Sequence, residues 1–524
     1  MHDFLVSLGV DRWVLPVLIG WPVVAAVLVR LLGCDTSRER LGTEAPSGGP
    51  DARTLTAAAL VVEGLLTLAL WGVFDPARDG WQARWDLPWL PDFGSTVSLG
   101  VDGLSLPLVL MTGVVLPVAF IASWDNVRVR TPAFGALALL LTSGLMGVFV
   151  ALDLLVFYLA WELMLIPTYL LVGVWSTAGN TRASLRYVLF TLVGSLLMLV
   201  AIIALWSVGD GSSMHLDALS TLTLSPTAQL LMFGAFFAAF GVKSALFPFH
   251  TWLPDAQQVA PTFASVTLGL KVGAYAILRF AIPLFPAAAT HDTVRMVILV
   301  LSVVSIVYGA LVAMAQKDLK RLISYSSISH LGFIMLGCFT LTQQSVEGAV
   351  MSIVNSGLAT SALFLVAGML EDRTGSTSLD AFGGMARRTP MLATMLVVAM
   401  LSTVALPGTA GFVGEFLVLI GTYAEFPVLA VVATTGVVFA AAYGLKALQG
   451  VLFGPFDAER HATLRDLGFH ERAALVVLAA GIVAVGVAPA PVLKRLDRPT
   501  QSLIEAVRFG PNAPAPTPPV SLGR

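Results

Sequence analysis

Residues 227–283 read TAQLLMFGAFFAAFGVKSALFPFHTWLPDAQQVAPTFASVTLGLKVGAYAILRFAIP. Two hydrophobic runs flank a centre rich in proline and polar groups, and each run carries one lysine, Lys243 and Lys271. A lipid-facing helix should carry none, because a charge at the bilayer centre costs about 2.5–3.5 kcal/mol on insertion scales. Such a lysine faces a protein interior or a water-filled path. Pro248, Pro254 and Pro261 cannot sit inside an unbroken helix without freeing backbone carbonyls. Irregular backbone at membrane depth is tolerated only where protein buries it or it lines a cavity. The stretch therefore reads as a broken helix with a buried lysine on each side, a polar pathway across a membrane.

The whole chain agrees. Of 524 residues, 57% are hydrophobic and 12% charged, where soluble domains carry about 25% charged residues. This composition is that of an all-α polytopic membrane protein lodged in the lipid bilayer. A net charge of −2 with no basic run gives nucleic acid nothing to bind. The two cysteines, Cys34 and Cys338, are far apart and offer no CxxC or iron–sulfur spacing; they read as buried free thiols. Leu31-Leu32-Gly33-Cys34 faintly resembles a lipoprotein cleavage box, but Arg30 interrupts the apolar run before it and Asp3 and Arg12 do not make a basic start. The first apolar segment reads as a retained span.

Apolar windows give about fourteen spans, with cores near 14–33, 54–74, 103–123, 132–151, 153–174, 185–207, 227–247, 262–283, 294–315, 322–341, 346–370, 390–420, 427–453 and 473–493. The twelfth is too long for one straight span and contains Ala405-Leu406-Pro407-Gly408 and Gly411-Phe412-Val413-Gly414-Glu415, so a second break is expected there. Arg38, Arg40 and Arg53 follow the first span, Arg128 and Arg130 the third, Arg182 and Arg186 the fifth. Lys317, Lys320 and Arg321 follow the ninth, Arg387 and Arg388 the eleventh, Arg460, Arg465 and Arg472 the thirteenth. Loops 209–226 and 342–345 carry no lysine or arginine. The alternation predicts a multi-pass protein of a bacterial inner (plasma) membrane with both termini outside. Arg78 and Arg84 run against it, as do Lys494, Arg495 and Arg498. The proline-rich tail 509–524 is expected to be disordered.

Spans seven and twelve, both interrupted, lie five apart. Broken helices recurring at matching places are the mark of repeats. The expected organisation is helices 1–3 over 1–130, two inverted five-helix repeats over 131–283 and 284–453, and a final helix with a disordered tail over 454–524.

Glu162 stands deep in the fifth span. Desolvation disfavours the charged form of a lone carboxylate or a lone lysine in lipid, while side by side each favours the other's charge. A Glu162–Lys243 pair would make a proton gate that responds to its neighbours; the alternative is a static tie between two helices. Lys271 and His330 extend the series, and His330 lies beside Ser324, Ser326, Ser327 and Ser329. Histidine passes protons by either ring nitrogen. Glu415 in the second break is the terminal carboxylate. His250 at the foot of the first break is a relay residue or a loop anchor. Asp153 and Lys446 near span ends read as snorkelling side chains, and Lys317, Lys320 and Arg321 as cytoplasmic anchors. No Walker loop, GxGxxG, HExxH or Cys/His metal cluster occurs, so no redox cofactor or metal is expected in this chain and driving energy must come from a partner.

The chain resembles the subunit M (chain 4) family, the antiporter-like membrane subunits of bacterial NADH–quinone oxidoreductase, respiratory complex I. The matching stretches are 100–106, GVDGLSL; Trp161-Glu162; 242–261, with FPFHTWLPDA at 247–256; KDLKRLI at 317–323 with SHLG at 329–332; and 406–415. Coverage runs from about residue 95 to 455. The resemblance implies a proton-pumping subunit in which Glu162, Lys243, Lys271, His330 and Glu415 carry the proton. It also implies NADH, FMN, iron–sulfur clusters and quinone in partner subunits, with other membrane subunits, above all antiporter-like ones, as neighbours. The family pattern His-Val-Glu-Ala-Pro-Thr is here Gln257-Gln258-Val259-Ala260-Pro261-Thr262, the 262–271 stretch is about one helical turn shorter, and Ser356 replaces a histidine before Gly357. Two other functions fit the residues: a subunit of a multisubunit cation/proton antiporter, and a structural membrane subunit that pumps nothing.

Overall fold

The computed structural model describes residues 2–35, 50–124, 126–127, 129–176, 181–454 and 464–509. Arg38, Arg40, Arg128, Arg460 and the tail beyond Phe509 lie outside the described residues. Among those described, twelve helices are long and apolar enough to cross a membrane. Two shorter apolar helices, Leu106–Ala122 and Pro390–Thr403, take the places of the third span and of the first half of the twelfth. Helices Gln343–Asn355 and Ser361–Thr374 form one span with a fully buried apolar centre, joined by a wide π turn at Ser356–Thr360. Spans such as Pro427–Leu452 and Phe469–Val487 are largely exposed, as apolar helices facing lipid should be.

Both expected breaks occur, and their backbones match. The seventh span ends at Ser244 of Pro226–Ser244, and the chain resumes as Trp252–Val259. The twelfth stops at Thr403 of Pro390–Thr403 and restarts as Ala410–Glu425. At each break an alanine takes the left-handed conformation, Ala245 at φ 57° and Ala405 at φ 54°. The next N–H then reaches back five residues, Leu246 to the Gly241 carbonyl and Leu406 to the Leu401 carbonyl. This closes a helix end whose last carbonyls would otherwise be orphaned. Proline just beyond each turn, Pro248 or Pro407, prevents the helix from continuing.

A second pair of features repeats, again five spans apart. Asp153 and Asp318 cap helices Leu154–Leu163 and Leu319–Thr340 with nearly the same backbone angles. Each forms one antiparallel bridge to the loop ahead of its broken helix, Asp153 with His215 and Asp318 with Ser378. Asp153 is fully buried. Besides capping Leu155 and Val156, it accepts from Ser95 Oγ and the Thr96 N–H, so it does not snorkel: four donors hold it in place of water. Lys320 is no loop anchor either. Its side chain is 1% exposed and its Nζ lies 2.6 Å from Oε2 of the partly exposed Glu371, a pair between the tenth and eleventh spans.

Three further features were not expected. The eighth span is interrupted at Lys271, between Thr262–Gly269 and Val272–Ala276, and then widens into a π turn at Ile277–Ala281. Gly273 lets it close on the seventh span, for a Cβ there would lie 2.4 Å from the Phe240 carbonyl oxygen. An antiparallel hairpin, Gln82–Leu90 with Ser95–Val101, covers one end of the helices. The arginine cluster after the last span belongs to an amphipathic helix, Ala490–Phe509, which buries Val492, Leu496, Thr500, Leu503 and Val507 along one face. It crosses the turn at Gly103 so closely that a Cβ would collide with the Arg495 carbonyl. In that turn Asp102 accepts from the Leu104 and Ser105 N–H groups and pairs with buried Arg279. Cys34 is partly exposed, Cys338 is buried, and both are unpaired.

Candidate functional site

The fifth span kinks at Met164, and Glu162 lies just before the kink in Leu154–Leu163. Glu162 is half-buried, and its Oε1 is shielded from solvent with no hydrogen-bond partner. Lys243, in the last turn before the first break, donates from Nζ to the Tyr187 hydroxyl at 2.9 Å. That ammonium also lies 5.8 Å from the centre of the Trp161 ring and 5.3 Å from that of Tyr187. The two charged groups thus share one neighbourhood, since Trp161 precedes Glu162, but the expected direct ion pair is not formed. Aromatic faces and a hydroxyl solvate the lysine instead.

Lys271 is 3% exposed. The interruption of its helix turns it inward, and its Nζ donates to Ser327 Oγ at 2.5 Å. Ser326, next along the tenth span, lies 2.9 Å from the Tyr443 hydroxyl. That hydroxyl is 3.3 Å from His330 Nε2, and His330 Nδ1 is 2.8 Å from Glu415 Oε1. Ser326 and His330 are one helical turn apart, so they share a face and a single hydroxyl from the thirteenth span touches both. His330 is 6% and Glu415 4% exposed. Two hydrogen-bonded groups thus meet the tenth span at adjacent serines, Lys271 of the eighth with Ser327, and Ser326 with Tyr443 of the thirteenth, His330 and Glu415 of the second break, with no side-chain hydrogen bond between the two groups among the described residues. Each side chain in them is amphoteric or titratable, the requirement for handing on a proton.

The structure thus joins His330 to Glu415 and sets Lys271 against Ser327 of the same span as His330, and adds Tyr443, which touches both Ser326 and His330. Tyr443 had one sequence signal, a lone phenol in the apolar run 436–448; such a group when buried needs a polar partner. His250 stands apart: its Nε2 is 3.4 Å from the Tyr308 hydroxyl, its Nδ1 is buried without a partner, and its ring stacks on Phe247. Where a histidine was expected, Ser356 Oγ faces Thr360 Oγ1 at 3.5 Å within the π turn, and Asn355 accepts from Ser402. At Gln257 the amide donates to the Ser265 carbonyl and the side-chain oxygen is unpaired. Glu63 in the second span, which carries no motif, is 1% exposed with neither oxygen bonded. Among the described residues no group of three His, Cys, Asp or Glu could hold a metal ion.

A family model described as NADH:quinone oxidoreductase/Mrp antiporter, transmembrane, matches residues 151–440. NADH-quinone oxidoreductase subunit M of Rhodobacter capsulatus is 38% identical over 88% of this chain and 92% of its own length. F(420)H(2) dehydrogenase subunit M of Methanosarcina mazei is 35% identical over 84% of this chain and 90% of its own. Among solved structures, a chain of respiratory complex I from Thermus thermophilus with bound NADH superposes with a TM-score of 0.83 at 33% identity. That match covers 94% of this chain and 99% of the other.

Proposed function

The chain belongs to the NADH:quinone oxidoreductase/Mrp antiporter family, and from that premise we propose that it is a proton-translocating membrane subunit of an NADH–quinone oxidoreductase. The observation that carries the reading is a pair of buried hydrogen-bonded groups at adjacent positions of the tenth span, Lys271 with Ser327, and Ser326 with Tyr443, His330 and Glu415. Protons enter from the cytoplasm towards Lys243, pass Lys271, cross by Tyr443 and His330, and leave near Glu415. Glu162 resets the lysines electrostatically when its surroundings change. Burial makes each charge sensitive to the next, because low dielectric weakens the screening between them.

NADH, FMN, iron–sulfur clusters and quinone belong to partner subunits, and neighbouring antiporter-like subunits complete the membrane arm. The half-buried position of Glu162 supports such a neighbour. The membrane is the bacterial inner membrane, with both termini outside. The division into 1–130, two inverted units over 131–283 and 284–453, and 454–524 is part of the proposal; the matched breaks and matched caps support it. An offset of five spans is odd, so corresponding helices run in opposite directions.

The test is Lys271→Met in the assembled complex, reconstituted into vesicles. NADH-driven proton uptake should fall by roughly tenfold or more while the complex remains assembled. Full uptake would defeat the relay. Sodium-dependent proton exchange with no electron donor would make the chain a cation/proton antiporter subunit instead.

A further inference from the structure

Three of the arginines that violate the loop-charge alternation, Arg78, Arg495 and Arg498, converge on one cavity. It has a volume of about 310 Å³ and lies between the start of the hairpin, the turn at Gly103, the eighth span and the helix Ala490–Phe509. Four arginines and three aspartates line it. Arg279 is paired with Asp102 and Arg498 with Asp79. Asp217, at the lip, bonds to the Trp81 indole. Arg78 and Arg495 have no carboxylate within ion-pair distance among the described residues.

Arg495 is the more unusual of the two. Its guanidinium stacks on Trp71 at 3.9 Å and donates once, to the Pro491 carbonyl of its own helix. Its Nε is buried and unbonded. Partial burial lowers its affinity for the proton, a cost that a nearby anion relieves. A guanidinium has five donors in a rigid fork suited to phosphate, and most of these are idle here.

Leu104, Leu278 and Leu503 give the cavity an apolar part, and Ser220, Thr221 and Ser502 add hydroxyls to the lining. Trp71 and Trp81 stand at this end, as aromatic residues do at membrane interfaces. The helix that closes the cavity has the apolar face and charged back of an interfacial helix.

We propose that this cavity binds one anionic phospholipid, its phosphate held by Arg78 and Arg495 and the start of its acyl chains against the leucines. A free phosphate satisfies the arginines but leaves the apolar floor empty; a zwitterionic lipid brings its own cation to a site that already has two spare ones.

The test uses the purified complex, stripped of lipid and returned to nanodiscs of phosphatidylglycerol or of phosphatidylcholine, with retained lipid counted by mass spectrometry after washing. The intact complex should hold phosphatidylglycerol, and the double variant R78Q/R495Q should bind it roughly tenfold more weakly or worse. Leu104→Trp, which fills the floor and keeps the arginines, should lose it too, and Lys494→Gln, outside the cavity, should keep it. Equal retention in R78Q/R495Q, equal retention of phosphatidylcholine, loss in Lys494→Gln, or displacement by inorganic phosphate would each overturn the proposal. So would an intact complex that retains no lipid at all, the result expected if a neighbouring subunit fills the space.

Discussion

The two helix breaks share a backbone and differ in what surrounds their charges. Around the second, every titratable group is buried and bonded: His330 lies between Tyr443 and Glu415. Around the first, Lys243 is half-buried among aromatic rings and one Glu162 oxygen has no partner. The matched caps make the contrast specific. Glu162 stands nine residues after Asp153, and nine residues after Asp318 stands Ser327. The first unit presents a charge where the second presents a hydroxyl, and that hydroxyl is the one Lys271 uses. His330 and Glu415 of the second half bond to each other, though Ser352 Oγ beside that break does not find a partner, whereas in the first half the unbonded atom is a carboxylate oxygen, Glu162 Oε1. Burying an unpaired charge is costly. On the proposed relay, the first half would be the part whose charge state a neighbour sets, and the second the conductor that follows.

That contrast can be broken most severely at the first half. Glu162→Gln and Lys243→Ala should each lose most proton pumping, by roughly tenfold, while the complex still assembles; full pumping by either in vesicles ends the gate assignment. A smaller loss is expected at the bridge of the second half. Tyr443→Phe keeps the ring and its packing but deletes the hydroxyl between Ser326 and His330, and pumping should drop about fivefold, the worth of a hydrogen bond or so. Unchanged proton flux would show that His330 receives its proton by another path. Smallest is Ser327→Ala, for which about a twofold loss is expected because water can take the place of a small hydroxyl. An effect as large as that of Lys271→Met would mean that the serine itself, rather than the lysine, sets the rate.

Several of these features were legible in the chain alone. Hydropathy located the spans because every apolar window in lipid must be helical, and Leu154–Leu163, Pro226–Ser244 and Ala410–Glu425 lie where the sequence places them. Proline announced both breaks, and the rarity of charge in lipid singled out Lys271, His330 and Glu415. The hairpin was missed because strands of nine and seven residues between long apolar windows give a weak signal. The amphipathic helix Ala490–Phe509 was missed because its charges mask a stripe that is apolar on one side only. Lys320 was misjudged because a lysine at the start of a span looks the same whether it meets lipid headgroups or Glu371.

Composition and spacing determined that the chain crosses a membrane many times, that two of its helices are broken, and that ionisable groups are kept at depth, since each of these follows from local cost in a medium without water. Only the tertiary structure decided which of those groups touch. Tyr443 and Ser326 are 117 positions apart and His330 and Glu415 85 apart. Contacts at that range are set by how helices pack, and no local preference encodes them. The same packing turned the unexplained arginines of the last helix into the wall of a cavity, and set Lys243 against Tyr187 and Trp161 rather than in an ion pair with Glu162.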